Sequence, residues 1–326
     1  MTRLDQWNDR TDVRIATQPV QADQRGNDRD RQSNRLLQTG AVAWLLLIAM
    51  AVVLFAGSWR SHPIISLALP AVALVAWLPT IRERRNERWL VFYVSGIYLY
   101  TILRASADEL GLPIQAHYVV AFDRWLFGGF VPSVELQRDF FRPWDVDWLD
   151  FLTAAVHASF FVVPHAVLGL VWWKRPEALR PFVMSVLIAL YGSLLLFYLV
   201  PTIPPWLAAQ SGYTPGVHRI IDFVFSGISV QAYDDLYVAL AEPNSVAAVP
   251  SVHMALTCVV LFRAVALSLR WATPLALYAL LMAFSLVYLG EHYVFDVLVG
   301  ILIAMVAETV IRLIGRIENR RTARTR

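Results

Sequence analysis

Residues 247–256 read AAVPSVHMAL, and they put a proline, a serine and a histidine at the head of an apolar run that continues to Leu261. Proline suits the first turn of a helix, where its missing N–H would have had no partner in any case. Pro250 therefore predicts a helix start, with His253 within one turn of it. The unpaired N–H groups and positive dipole end of such a turn form an anion site. An ionisable ring at the entrance to an apolar span is costly, which makes it a functional candidate.

This run is one of eight. Apolar segments lie at roughly 40–58, 63–80, 89–106, 149–173, 182–201, 250–268, 272–290 and 292–314. Each is near the ~20 residues that a helix needs to cross the hydrocarbon layer. The chain is 57% hydrophobic and only 16% charged, far from the ~25% charged residues of soluble domains. The expected fold is all-α: a polytopic membrane protein of about eight transmembrane helices with a six-helix catalytic bundle. Residues 1–39, with seven arginines and six aspartates, are expected to be a disordered cytoplasmic N-terminus. Two additional spans and a cytoplasmic loop follow at 40–88, then the six-helix domain at 89–314 and a basic cytoplasmic tail at 315–326. The long polar prelude of the first span argues for a retained anchor rather than a cleaved signal peptide.

Arginine and lysine fall unevenly on alternate sides of these spans, 22 against 6. The positive-inside rule then places both termini in the cytoplasm. Arginines at the ends of apolar segments also account for the basic pI without nucleic acid as a partner. Only Lys174 among the 28 basic residues is a lysine, the bias of a GC-rich genome, which points to a bacterial inner (plasma) membrane. The lone Cys258 excludes an intrachain disulfide. The long connections 107–148 and 202–249 face outward and are rich in Trp, Phe, Pro and Asp. That composition suits headgroup depth, although ordinary exterior loops would also carry it.

A second histidine arrives at the same outer level. GEHYVFDVLVG (290–300) starts the last span with His292, and Asp296 follows four residues on. Residues four apart share a helix face, so Asp296 can accept a hydrogen bond from one ring nitrogen of His292. This fixes the tautomer and raises the basicity of the other nitrogen, as the carboxylate does in a catalytic triad. A nucleophilic histidine, its supporting acid and a second histidine for proton transfer suffice for phosphoryl transfer through a covalent intermediate. His157 and His165, in HASFFVVPH, have helix-packing hydrogen bonds as their expected role.

PSVH followed by HYVFD resembles the second and third motifs of the phosphatidic acid phosphatase type 2 superfamily. PTIPPW (201–206), AAVPSVHMA and GEHYVFDVLVG resemble stretches of its inositol phosphorylceramide synthase-like branch, and the likeness covers roughly 90–314. The resemblance implies that His292 attacks phosphorus, Asp296 orients it, and His253 protonates the leaving group and then activates the acceptor. It implies no metal and no cofactor. Where the phosphatases carry Ser-Arg ahead of the third-motif histidine, this chain has Ser285 and Leu286. Lys174 with Arg180–Pro181 echoes their first motif but falls on the cytoplasmic side, and is read as a decoy. Arg219 is then the first substitute phosphate ligand, followed by Arg104 and Arg124, with Ser251 and Trp206 as further substrate-binding candidates.

The expected activity moves a phospho-alcohol group, such as phosphoinositol from phosphatidylinositol, onto a lipid or glycan hydroxyl through a phosphohistidine at the extracytoplasmic face. A lipid or polyprenyl phosphate phosphatase would use the same histidines with water as acceptor. A lipid transporter is the non-enzymatic alternative, but the chain shows no inverted repeat and no matched pair of interrupted spans.

Overall fold

In the computed structural model, the described residues are 88–107, 111–143, 145–225, 246–267 and 272–324, with isolated positions at 68, 86 and 270. The spans expected at 40–58 and 63–80, like the polar N-terminus, lie outside them. Among the described residues the chain is helical, without a named strand. The elements are α1 (Arg88–Ala105), α2 (His117–Leu126), α3 (Pro132–Phe140), α4 (Trp148–Ser159), α5 (Val163–Lys174), a 3₁₀ turn (Pro176–Ala178), α6 (Leu179–Leu199), α7 (Pro205–Gln210), α8 (Ile220–Phe225), α9 (Val252–Leu267), α10 (Ala272–Tyr288) and α11 (Val294–Arg324).

The chain is a membrane protein, and its helices differ in how fully each meets the requirement for a span. Residues 176–199 and α11 are long and apolar enough to cross a bilayer, whereas α9 and α10 are shorter apolar helices. The segment expected as one span at 149–173 is two helices, α4 and α5, bent by 47°. Pro164, in the first turn of α5, supplies the cause. A proline inside an apolar helix removes one backbone hydrogen bond and clashes with the carbonyl four residues back, here that of Phe160. At the other end, α11 runs past 314 through the basic tail to Arg324.

α9 is the central helix and packs on α5, α6, α10 and α11, while α6 also holds α1 and α11. Val183, Val186, Ala189, Val259, Val260, Met282 and Ala304 are fully buried between these helices. Gly300 sets how closely α9 and α11 approach. A Cβ there would lie 2.5 Å from the Ser251 carbonyl oxygen and 3.2 Å from Met254 Cβ. The start of α9 is thus held against the first turns of α11, and the Ser251 N–H donates to the Asp296 carbonyl at 3.0 Å.

Connecting segments cover this end as a lid. PTIPP (201–205) is buried and laced on both sides. The Gln115 N–H donates to Pro201 O at 2.8 Å and Ile203 N–H to Gln115 O at 3.1 Å, while Thr202 N–H donates to Val246 O at 2.8 Å and Ala248 N–H to Thr202 O at 3.0 Å. Prolines cannot donate, so Thr202 and Ile203 carry the N–H groups of this lacing. The 246–250 stretch that leads into the PSVH motif is thereby fixed to the connections around Gln115 and Thr202.

Candidate active site

His253 and His292 enter the site from the starts of α9 and α11, with ring centroids 5.7 Å apart. The His292 Nδ1 lies 3.2 Å from Asp296 Oδ2, and both side chains are buried. A carboxylate can only accept, so the proton belongs on Nδ1 and the lone pair on Nε2. Asp296 is the third residue of α11, and the same Oδ2 accepts from the Tyr293 N–H at 2.9 Å. That reach back to the residue before the helix is one half of a capping box. It locks the carboxylate that holds His292. Ser251 opens α9 in a similar way, its Oγ accepting from Met254 N–H at 3.3 Å.

His253 is wedged between aromatic rings. Phe160 lies at 4.3 Å and His157 at 4.5 Å by ring centroids. Both come from the end of α4, so the proline-induced break presents them to α9. The His253 Nε2 is buried and has no hydrogen-bond partner among the described residues. Arg104, in the last turn of α1, is near enough for its charge to act on His253. Of the three arginines ranked from the sequence, it is the one whose charge bears on His253.

Arg219 is engaged elsewhere. Its Nε donates to Glu291 Oε1 at 2.8 Å, and its guanidinium lies 4.7 Å from the centre of the Trp206 ring. With side chains 11% and 4% exposed, the two ions stabilise one another. Arg219, Trp206 and Glu291 thus form one layer over the turn before His292. The Trp206 backbone N–H donates to Gly290 O at 3.1 Å. Gln137 of α3 secures the same turn from below, donating to Tyr288 O at 2.8 Å and His218 O at 2.9 Å. Gly290 has φ +78° and would push a Cβ to 2.8 Å from His218 O, so only glycine fits. Arg124 is exposed on α2.

Two further residues matter at this end. Tyr288, fully buried, donates to Asp150 Oδ1 at 2.6 Å and ties α10 to α4. Asp123, also fully buried on α2, accepts from Val294 N–H at 3.1 Å and Phe295 N–H at 3.0 Å. Burial pushes its carboxyl up to about 6, and those two N–H groups pull it back. A signal for Asp123 was present in the sequence. In HYVVAFDRWL the buried face of α2 is Val119, Val120 and Asp123, an acid on an otherwise apolar stripe.

The Lys174 and Arg180 pair lies at the far end. Arg180 donates twice to Glu318 near the end of α11, roughly 36 Å of helix from its start at ~1.5 Å per residue. His165 accepts or donates a 2.7 Å hydrogen bond with the Tyr93 hydroxyl, joining α5 to α1 as its expected packing role requires. Among the described residues no group of three His, Cys, Asp or Glu side chains is placed to hold a metal ion.

A helical membrane bundle with paired histidines and an adjoining aspartate at one end defines a class, and comparison with family models assigns it. Residues 117–310, more than half of the chain, match the PAP2 superfamily, and the protein belongs to it. It is a membrane enzyme of the phosphotransferase or phosphatase type, acting on phospholipids. The chain is also similar to the phosphoinositol dihydroceramide synthase of Bacteroides thetaiotaomicron, with 28% identity over 278 residues that cover 80% of this chain and 86% of that one. This is consistent with the inositol phosphorylceramide synthase-like branch. No solved structure matches the chain.

Proposed function

We propose that the protein transfers a phospho-alcohol group from a phospholipid donor onto a lipid or glycan hydroxyl by way of a phosphohistidine on His292. The observation that carries this reading is the His253–His292–Asp296 cluster, with Asp296 on Nδ1 and the second imidazole 5.7 Å away. His292 Nε2 attacks phosphorus, and the P–O bond to the departing lipid alcohol breaks. His253 gives that oxygen its proton. The neutral His253 then takes the proton of the acceptor hydroxyl, which attacks the phosphohistidine and releases His292. Both steps need the second imidazole within hydrogen-bond reach of the exchanging oxygen. A tetrahedral phosphate bound between the rings meets that need.

The similarity to a synthase that the comparison names for phosphoinositol and dihydroceramide supports phosphatidylinositol as donor and a ceramide-like hydroxyl as acceptor. The 22-to-6 asymmetry of basic residues supports a site on the extracytoplasmic face, with both termini in the cytoplasm of a bacterial inner membrane. Arg104 is the favoured phosphate ligand because its charge reaches His253. Arg219 acts one layer back, through Glu291. Purified protein incubated with headgroup-labelled phosphatidylinositol tests the reading. Label should appear in lipid product only when an acceptor lipid is supplied, and His292→Ala should abolish it. Release of free inositol phosphate alone, whatever acceptor is offered, would instead make the protein a hydrolase with water as acceptor, and cleavage only of lipid phosphate monoesters would make it a phosphatase.

A further inference from the structure

Asp123 lies outside the motifs, yet it is bonded to the start of α11, the helix that follows His292. A helix begins with four backbone N–H groups that have no partner inside the helix. α11 begins with Val294, Phe295 and Asp296. Its N-cap residue is Tyr293, whose side chain is not of the short oxygen-bearing kind that normally caps. The capping oxygens come instead from α2, Asp123 Oδ2 to Val294 N–H and Oδ1 to Phe295 N–H. The ring of Phe295 is gripped from the same helix, 4.9 Å from Phe122 and 5.5 Å from Tyr118.

We infer that Asp123 is a positioning residue for the reaction: by saturating the first-turn donors of α11 it leaves Asp296 committed to His292. The inference rests on the proposed roles of His292 and Asp296. Two carboxylates stand at this one helix end. Asp296 is the nearer in sequence, and its Oδ1 has no hydrogen-bond partner among the described residues. If Asp123 withdrew, two buried N–H groups would be left unsatisfied, a costly state. Asp296 would then be the remaining carboxylate on that turn able to relieve them. Each N–H that it takes loosens its hold on His292 Nδ1, and the imidazole loses its fixed tautomer and direction. α2 thus acts through the backbone of α11, and the dipole of that helix adds to the attraction for an acid there.

The test is a double-mutant cycle on the detergent-purified enzyme with labelled phosphatidylinositol and acceptor. Asp123→Asn keeps one accepting oxygen and turns the other toward a donor. Its kcat should fall about 10-fold, with KM for the phospholipid donor unchanged, because Asp123 is fully buried. Asp296→Asn alone should be far slower. In an Asp296→Asn background, the added Asp123→Asn should change kcat less than twofold, since residues that act through one interaction are not additive. A further tenfold fall in that background, or a rise in KM that matches the loss in kcat, would show a merely structural role and overturn the inference. If Asp123→Asn does not yield folded enzyme, Asp123→Asn with Val294→Pro replaces it. Proline is accepted in a first helical turn and removes the donor that asparagine cannot satisfy. A kcat within threefold of wild type supports the positioning role, and a tenfold loss refutes it. Full activity of His292→Ala or Asp296→Asn would instead refute the catalytic roles proposed above, a different result from an unchanged kcat in Asp123→Asn alone.

Discussion

Gly300 offers a perturbation whose sign differs according to which physical effect wins. In the interior of a helix, glycine is about 1 kcal/mol less favourable than alanine, so Gly300→Ala on an uncrowded face would stabilise α11. The face is crowded. The new Cβ would stand 2.5 Å from Ser251 O, 3.2 Å from Met254 Cβ and 3.3 Å from Ala255 N. Two of these are backbone atoms, so no side chain can swing aside. Reaching ordinary contact beyond 3.4 Å requires α9 and α11 to part by about 1 Å at the level of the histidines. Overpacking of this kind costs ~1–3 kcal/mol, which cancels or exceeds the gain in propensity.

The separation stretches the Ser251 N–H to Asp296 O bond, now 3.0 Å, and moves His253 away from His292. A misplacement near 1 Å costs on the order of 10²-fold in rate. Gly300→Ala should therefore lose about 100-fold in kcat while its melting temperature falls slightly or holds. Gly315→Ala, on the same helix with no atom within 4 Å of its Cβ, is the control and should keep activity with equal or higher stability. Thermal melts in detergent and a transfer assay on the same preparations decide the matter. A Gly300→Ala enzyme that is more stable than wild type and fully active would refute the close approach of α9 and α11 and the site geometry built on it.

Asp296→Asn should retain a small residual rate, at least ~10²-fold below wild type, because the nucleophile survives but loses its orientation; single-turnover transfer measures it. Ser211→Cys, placed on the exposed outer connection in a background where buried Cys258 is replaced by alanine, should react with a membrane-impermeant maleimide in intact cells. Labelling only after lysis would reverse the proposed orientation. Trp206→Ala opens the layer beside Glu291 and removes one wall against bulk water, so the ratio of hydrolysis to transfer should rise more than total donor cleavage falls. A parallel loss of both would make the PTIPPW segment purely structural.

Much of this arrangement is legible in the sequence because its signals are local. The i,i+4 spacing of His292 and Asp296 is read within one helical turn and is found as expected. His253 does fall in the first turn of α9, but Ser251 caps that helix and Pro250 precedes it instead of opening its first turn. The likeness of three short stretches to one enzyme branch likewise needs no knowledge of packing. The bend at residues 160–162 also has a local cause in Pro164, yet the apolar run around it conceals the break, and the segment reads as one span. His157 illustrates the limit. Its sequence neighbourhood is an apolar helix, and its place against His253 follows from the angle between α4 and α5.

The order of the cations read from sequence, Arg219 ahead of Arg104 and Arg124, missed their partners for a different reason. Arg219 lies in an outer connection near two motif segments, which makes it the natural substitute for a missing phosphate ligand. Its charge is set by a partner 72 residues away, Glu291, and that partner lies immediately beside His292. An acid next to the nucleophile of a phosphate enzyme would repel the substrate if left unbalanced. Arg219 is therefore better understood as the counter-charge that permits Glu291 to be there, stacked on Trp206 and held by the lid. Arg104, by contrast, sits at the end of an ordinary apolar helix with nothing in its sequence surroundings to single it out. Its significance appears only when α1 is packed on α6, and α6 on α9, which brings its charge within range of His253. The same logic governs Asp123. His292 and Asp296 pair within one turn and are legible, whereas Arg219 and Asp123 take partners from distant segments, and such pairing is not encoded by spacing along the chain.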